Sequence, residues 1–212
     1  MRRRLWSRAV VALVASMALA SCAADDSSSS STTAAPDAVD LLPSPEPALD
    51  ECSMESLTVI NPGQLTVGAN FVDTEPYFYD SKPSSGEGFE PALTYAIAAG
   101  LGFAPMQVKW SVLDASAGVP AEGTRVDFAI GQIPSDGSDD WIDSVPSDPY
   151  LAVGPGEAPF VLLFADGNPL SLCVNGVLAT LDATGETQEL ADEWLDGPEF
   201  DAALVGSAAR VS

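Results

Sequence analysis

The sequence predicts an α/β fold, a mainly parallel sheet flanked by helices, on three observations. Short β-prone runs alternate with helical apolar stripes between about residues 52 and 197. Glycine and proline punctuate nearly every junction between them. The 212 residues are 46% hydrophobic, which is ample for a packed core.

The elements follow in order. Asn61-Pro62-Gly63 reads as a turn, and Leu65-Thr-Val-Gly-Ala69 after it as a first strand. A loop rich in Pro, Ser and Gly runs to Gly88. Phe89, Leu93, Ile97 and Leu101 then recur at four-residue spacing, with Ala96 and Gly100 on the same side. That is one helical face, with Pro91 suited to the first turn and Gly102 to the stop. Met106–Trp110 and Val126–Ile130 read as a second and a third strand, and Pro159–Phe164 is an apolar run of buried-strand length. A second helix is expected from Asn168, with Leu170, Cys173, Val174, Val177, Leu178 and Leu181 inward and Gly185 at its end. A last short helix turns Leu190, Trp194 and Leu195 inward, and residues 198–212 are expected to be a flexible tail.

Residues 1–21 read as a lipoprotein signal peptide. Arg2, Arg3, Arg4 and Arg8 precede an apolar run from Ala9 to Ala20, shorter than the ~20 residues of a membrane-spanning helix. The run ends in Leu19-Ala20-Ser21-Cys22, which resembles the bacterial lipobox and makes Cys22 the candidate lipidation site. A lipid anchor on the extracytoplasmic face of the cell membrane is the expected location. Residues 22–51, rich in serine and then proline, cannot bury enough apolar surface to order themselves. They are expected to form a disordered tether spanning roughly 30 Å.

With Cys22 lipidated, Cys52 and Cys173 remain, and in an exported protein they are expected to pair; two buried thiols are the alternative. The chain has no histidine, which excludes His-based triads and His-containing zinc sites. Its net charge of −23 argues against nucleic acid as a partner. Beyond the signal peptide only Lys82, Lys109, Arg125 and Arg210 are basic. There is no P-loop and no Gly-x-Ser-x-Gly elbow, so no enzyme is expected, and no cofactor.

Several stretches together resemble the family 3 extracellular solute-binding proteins, the lipoprotein receptors of polar amino-acid ABC transporters, in their actinobacterial form. They are Leu65-Thr-Val-Gly-Ala with Glu75-Pro-Tyr-Phe78, Gly88-Phe-Glu90 opening the helix to Gly102-Phe103, Val126-Asp-Phe-Ala-Ile130, and Ser147-Asp-Pro-Tyr150. Gly167-Asn-Pro-Leu, Cys173-Val-Asn and Trp194-Leu195 complete the set. The resemblance implies a periplasmic-binding-protein type II lobe over residues 52–197, with a small polar solute and an ABC permease as partners. Such receptors have two lobes that close on their ligand by hinge motion. Here the crossing segment is only Leu151-Ala-Val-Gly-Pro-Gly-Glu-Ala158, so a single lobe is expected and the second is missing. Two copies facing each other would rebuild a cleft, which makes a homodimer an expected arrangement.

The same resemblance places candidate ligand-binding residues at Asn70, Tyr77, Phe78, Gln132 and Ser135. The site is expected to be degraded. The positions of two ligand-stacking aromatics fall on Thr74 and Leu113. The stretch Pro134–Asp143, where a carboxylate-clamping arginine belongs, holds no basic residue. Its Asp136, Asp139, Asp140 and Asp143 read as a solvated acidic loop, with a Ca²⁺ ion, or an organic cation held with Trp141, as the alternatives. The second class of function is then a cell-surface interaction module that has lost small-solute binding.

Overall fold

Leu65–Ala69 forms β1, with the bounds expected from its sequence, because Leu65, Val67 and Ala69 alternate onto a buried face. A computed structural model describes residues 52–70, 73–113, 125–137 and 143–211. The signal peptide, Cys22 and the tether lie outside the described residues.

Among the described residues there are seven strands and three α-helices: β1, α1 (Phe89–Gly100), β2 (Val108–Val112), β3 (Phe128–Pro134), β4 (Ser144–Pro146), β5 (Leu151–Ala152), β6 (Phe160–Ala165), α2 (Leu170–Thr184), α3 (Glu186–Trp194) and β7 (Leu204–Val205). The sheet order is β2-β1-β3-β6-β5-β7, with β4 also paired to β6. This is the expected α/β lobe, a sheet flanked by helices. Its parallel part is β2-β1-β3, with Val67 opposite both Trp110 and Phe128. β6 comes back along β3 from the β5–β6 hairpin and therefore pairs antiparallel, as do the short strands β4, β5 and β7. The second strand begins at Val108 rather than Met106, because Pro105–Gln107 turns in a 3₁₀ helix first.

Phe89, Leu93, Ile97 and Leu101 are all buried, each worth roughly 1.5–3 kcal/mol relative to exposure. They join one cluster with Leu170, Val174 and Leu178 of α2, Ala191 of α3, and the alternate residues Phe128, Ile130, Leu162 and Phe164 of β3 and β6. The residues between, Ala129, Ile133, Val161 and Leu163, form a smaller cluster on which Leu113 packs. Strand alternation thus divides the core between two clusters.

α1 and α2 approach closely at Gly100, where an added Cβ would sit 2.6 Å from Val177 Cγ1. Gly100→Ala is expected to cost roughly 1–3 kcal/mol of unfolding free energy by overpacking. Urea unfolding checks this, and Val177→Ala in the same chain should recover most of the loss.

Asp127 fastens the start of the body. It is buried, and its two carboxylate oxygens accept the Ile60 amide at 2.8 Å and the Thr66 amide at 2.6 Å. Burial raises its pKa, and the two amides oppose that rise. The Cys52–Cys173 disulfide forms, with a Cα–Cα separation of 5.3 Å, and ties this same segment to α2.

Residues 198–211 of the expected flexible tail carry three short elements. Pro198–Phe200 turns in a 3₁₀ helix, Leu204–Val205 adds β7 to β5, and a further 3₁₀ segment runs from Gly206 to Val211. The Gly206 amide donates to Tyr150 O, and Val205 and Ala209 are buried. β5 pairs with β6 on one side, and its other edge takes the two residues of β7.

Candidate functional site

The five candidate residues come from three places: the residue just past β1, the loop that follows it, and the far end of β3 with the residue after it. The amide of Asn70, just past β1, donates to Ile130 O, and the residue is buried. The next turn ends at Gly88, where φ is 108° and an added Cβ would lie 2.4 Å from Tyr77 O. Only glycine lets the loop and the helix start approach this closely. As a result the first amides of α1 already have acceptors: Phe89 donates to Pro76 O and Glu90 to Tyr77 O.

Tyr77 is buried and meets Phe160 and Phe200 edge-on, both at 5.9 Å between ring centroids. Phe160 begins β6 and Phe200 belongs to the C-terminal 3₁₀ turn, so three distant segments form one aromatic plug. Burial, then Glu90, Glu157 and Glu199, push the Tyr77 hydroxyl up to about 12. Phe78 is fully buried and packs edge-on against Trp110 at 6.4 Å.

β3 is bulged. Ala129 pairs with Leu163 and Ile133 with Val161, so Gly131 and Gln132 are looped out of register. Gln132 is left-handed, with φ 47°, and the bulge aims it at α1. Its amide donates to Glu90 Oε1 at 2.8 Å and its side-chain Nε2 to Glu90 Oε2 at 3.0 Å. The Tyr150 hydroxyl donates to Glu90 Oε1 at 2.5 Å. The Ser135 amide donates to Pro159 O at 2.7 Å, beside the β5–β6 turn.

Glu90 is the centre that the sequence reading did not single out. It is 0% exposed, and its carboxyl is lifted from 4.5 to about 7 by burial, against the pull of Tyr150 and Gln132. Burial likewise raises the Tyr150 hydroxyl, with the Glu90 charge adding to it. A signal was present in the sequence. Glu90, Thr94 and Ala98 form a second four-residue stripe beside the apolar one, and all three are buried.

The structure therefore brings Asn70, Tyr77, Gln132 and Ser135 to one end of the sheet, while Phe78 turns into the core. Thr74 accepts the Phe78 amide through its carbonyl, and Leu113 packs on the smaller cluster, its Cδ1 lying 2.6 Å from where a Cβ on Gly68 would sit. Asp139, Asp140 and Trp141 lie outside the described residues, and the described ones contain no group of three metal-ligating side chains. A hollow of about 440 Å³ opens beside Met54, Leu57, Val59 and Pro62, and none of the five candidates lines it.

No protein-family model matches the chain, and no curated protein matches it in sequence. Solved structures do match. A point mutant of the arginine-bound form of domain 1 from TmArgBP is 24% identical, over 64% of this chain and 99% of that one, with a TM-score of 0.49. The substrate binding protein of an amino acid ABC transporter is 18% identical, over 61% of this chain and 98% of that one, with a TM-score of 0.44. An ancestral arginine-binding protein bound to arginine is 15% identical, over 63% and 99% of the two chains, with a TM-score of 0.49. These neighbours are amino-acid-binding proteins.

Proposed function

We propose that the chain is a lipid-anchored, extracytoplasmic lobe of the periplasmic-binding-protein type, associated with ABC-type uptake of amino acids or similar small polar solutes, whose own ligand site is degraded. The basic n-region and Leu19-Ala20-Ser21-Cys22 support the anchor. The parallel β2-β1-β3 core, the return strand β6 and the closing helices support the lobe. The short turn between β5 and β6 supports the loss of a second lobe at that point.

One observation carries the reading of a degraded site: several donors at the sheet end already bond within the chain. Gln132 is held by Glu90, the Ser135 amide by Pro159, and the first α1 amides by Pro76 and Tyr77. A ligand carboxylate needs free donors or a cation, and these donors are engaged. The same observation favours a second reading, a surface module that binds another protein and no small solute.

Pull-down from membranes with the anchored full chain as bait separates the two. Recovery of the membrane-spanning subunits of an ABC importer is expected on the first reading. Their absence, together with reproducible recovery of an unrelated surface protein, would replace it with the second.

A further inference from the structure

The Glu90 cluster joins four parts of the chain that are far apart in sequence. Glu90 stands in the first turn of α1, Gln132 in the β3 bulge, and Tyr150 directly before β5. Tyr77, whose hydroxyl feels the Glu90 charge, sits in the plug with Phe160 and Phe200. The bulge has a conformational cost of its own, since Gln132 holds a left-handed φ that a non-glycine residue adopts only when its surroundings require it. What requires it here is its pair of bonds to one carboxyl.

Among the described residues, the titratable groups facing this carboxyl are Tyr150 and Tyr77, and those facing Tyr77 besides Glu90 are Glu157 and Glu199. No basic group is among them. An ionised Glu90 would therefore have hydrogen bonds but no counter-charge, and water is the remaining source of stabilisation. The aromatic group is joined to this carboxyl by geometry: the Glu90 amide donates to Tyr77 O, and Tyr150, whose hydroxyl donates to Glu90, has its ring 6.4 Å from that of Phe160.

We propose that Glu90 is a proton-operated latch: with its carboxyl protonated the Tyr77–Phe160–Phe200 plug stays seated, and loss of the proton to solvent releases the plug and the Gly131–Gln132 bulge together. The latch is a property of the fold and stands independently of which solute or partner the chain serves.

The direction follows from burial. A carboxyl held near 7 when covered and near 4.5 when wetted favours the covered form below about pH 4.5. That preference is lost as the pH rises through about 7. Between about pH 5 and pH 8 the open population should rise on the order of 50-fold.

Hydrogen exchange read by mass spectrometry on the full chain tests this, after correction for the intrinsic pH dependence of exchange. Peptides covering 76–79, 130–135 and 198–201 should open by that factor, while those from β1 should not change. In Glu90→Gln, whose side chain stays neutral, the change should shrink to less than about threefold. A flat profile in the wild-type chain, or an undiminished rise in Glu90→Gln, overturns the latch. Should Glu90→Gln fail to fold, carboxyl ¹³C resonances of the wild-type chain decide. A Glu90 midpoint at or above about pH 6 supports the latch, and one below it overturns it.

Discussion

Replacing Cys52 and Cys173 together by alanine is expected to lower the unfolding free energy by roughly 4–5 kcal/mol. The bridge spans 121 residues, so in the chain-entropy model it removes a large share of the denatured chain's freedom. It also acts at a mechanically useful place. Cys173 lies on the buried face of α2, and Cys52 lies ahead of the point where Asp127 grips Ile60 and Thr66. Without the bridge, packing and a few hydrogen bonds hold the N-terminal segment: the two amides on Asp127, and Gln107 Nε2 donating to Gly63 O and Met54 Sδ. For a body of this size the melting temperature should fall by about 10 °C or more. Urea unfolding with and without reductant checks the origin of the loss. Reductant should destabilise the wild-type chain by a similar amount and leave the double variant unmoved. A loss below about 1 kcal/mol would mean that the denatured chain is already restricted elsewhere.

Gly131→Ala is expected to cost roughly 3 kcal/mol or more. Gly131 has φ 139°, and an added Cβ would lie 2.4 Å from Asn70 O and 2.7 Å from Asn70 Cβ. The nearest obstacle is backbone, so no rotamer change relieves it, and β1 and β3 must move apart. Gln132 would then lose its place on Glu90, linking a strand defect to the buried cluster. Gly154→Ala is the control, because its nearest neighbour is Glu157 Cδ at 3.9 Å and its cost should stay within about 0.5 kcal/mol. Equal losses for the two variants in urea unfolding would show that the bulge is not under steric demand.

The sheet's parallel core and the helices were legible because each carries a period that burial enforces. The four-residue stripe from Phe89 to Leu101 is buried at every position, and Leu65, Val67 and Ala69 alternate inward. β6 was legible as a run apolar on both faces, which is what a strand between two clusters needs. β4, β5 and β7 were not, since strands of two or three residues have no period and exist only because a neighbour offers an edge. The motif order placed Asn70, Tyr77, Gln132 and Ser135 near one another, and they lie toward one end of the sheet. The site's chemistry was not legible. Nothing local shows that Gln132 turns left-handed toward a carboxyl 42 residues away, or that Phe200 covers Tyr77.

The central claim is that this end of the sheet is filled from within by the chain's own groups. A thermal-shift panel of the common amino acids and polyamines, each at about 1 mM with the full chain, addresses it most directly. A ligand of micromolar affinity at that concentration stabilises by about 4 kcal/mol, which raises the melting temperature by about 10 °C. The account predicts no shift above about 1 °C for any compound in the panel. A reproducible rise of several degrees with a single amino acid, abolished by changing Gln132 or Tyr77, would contradict it.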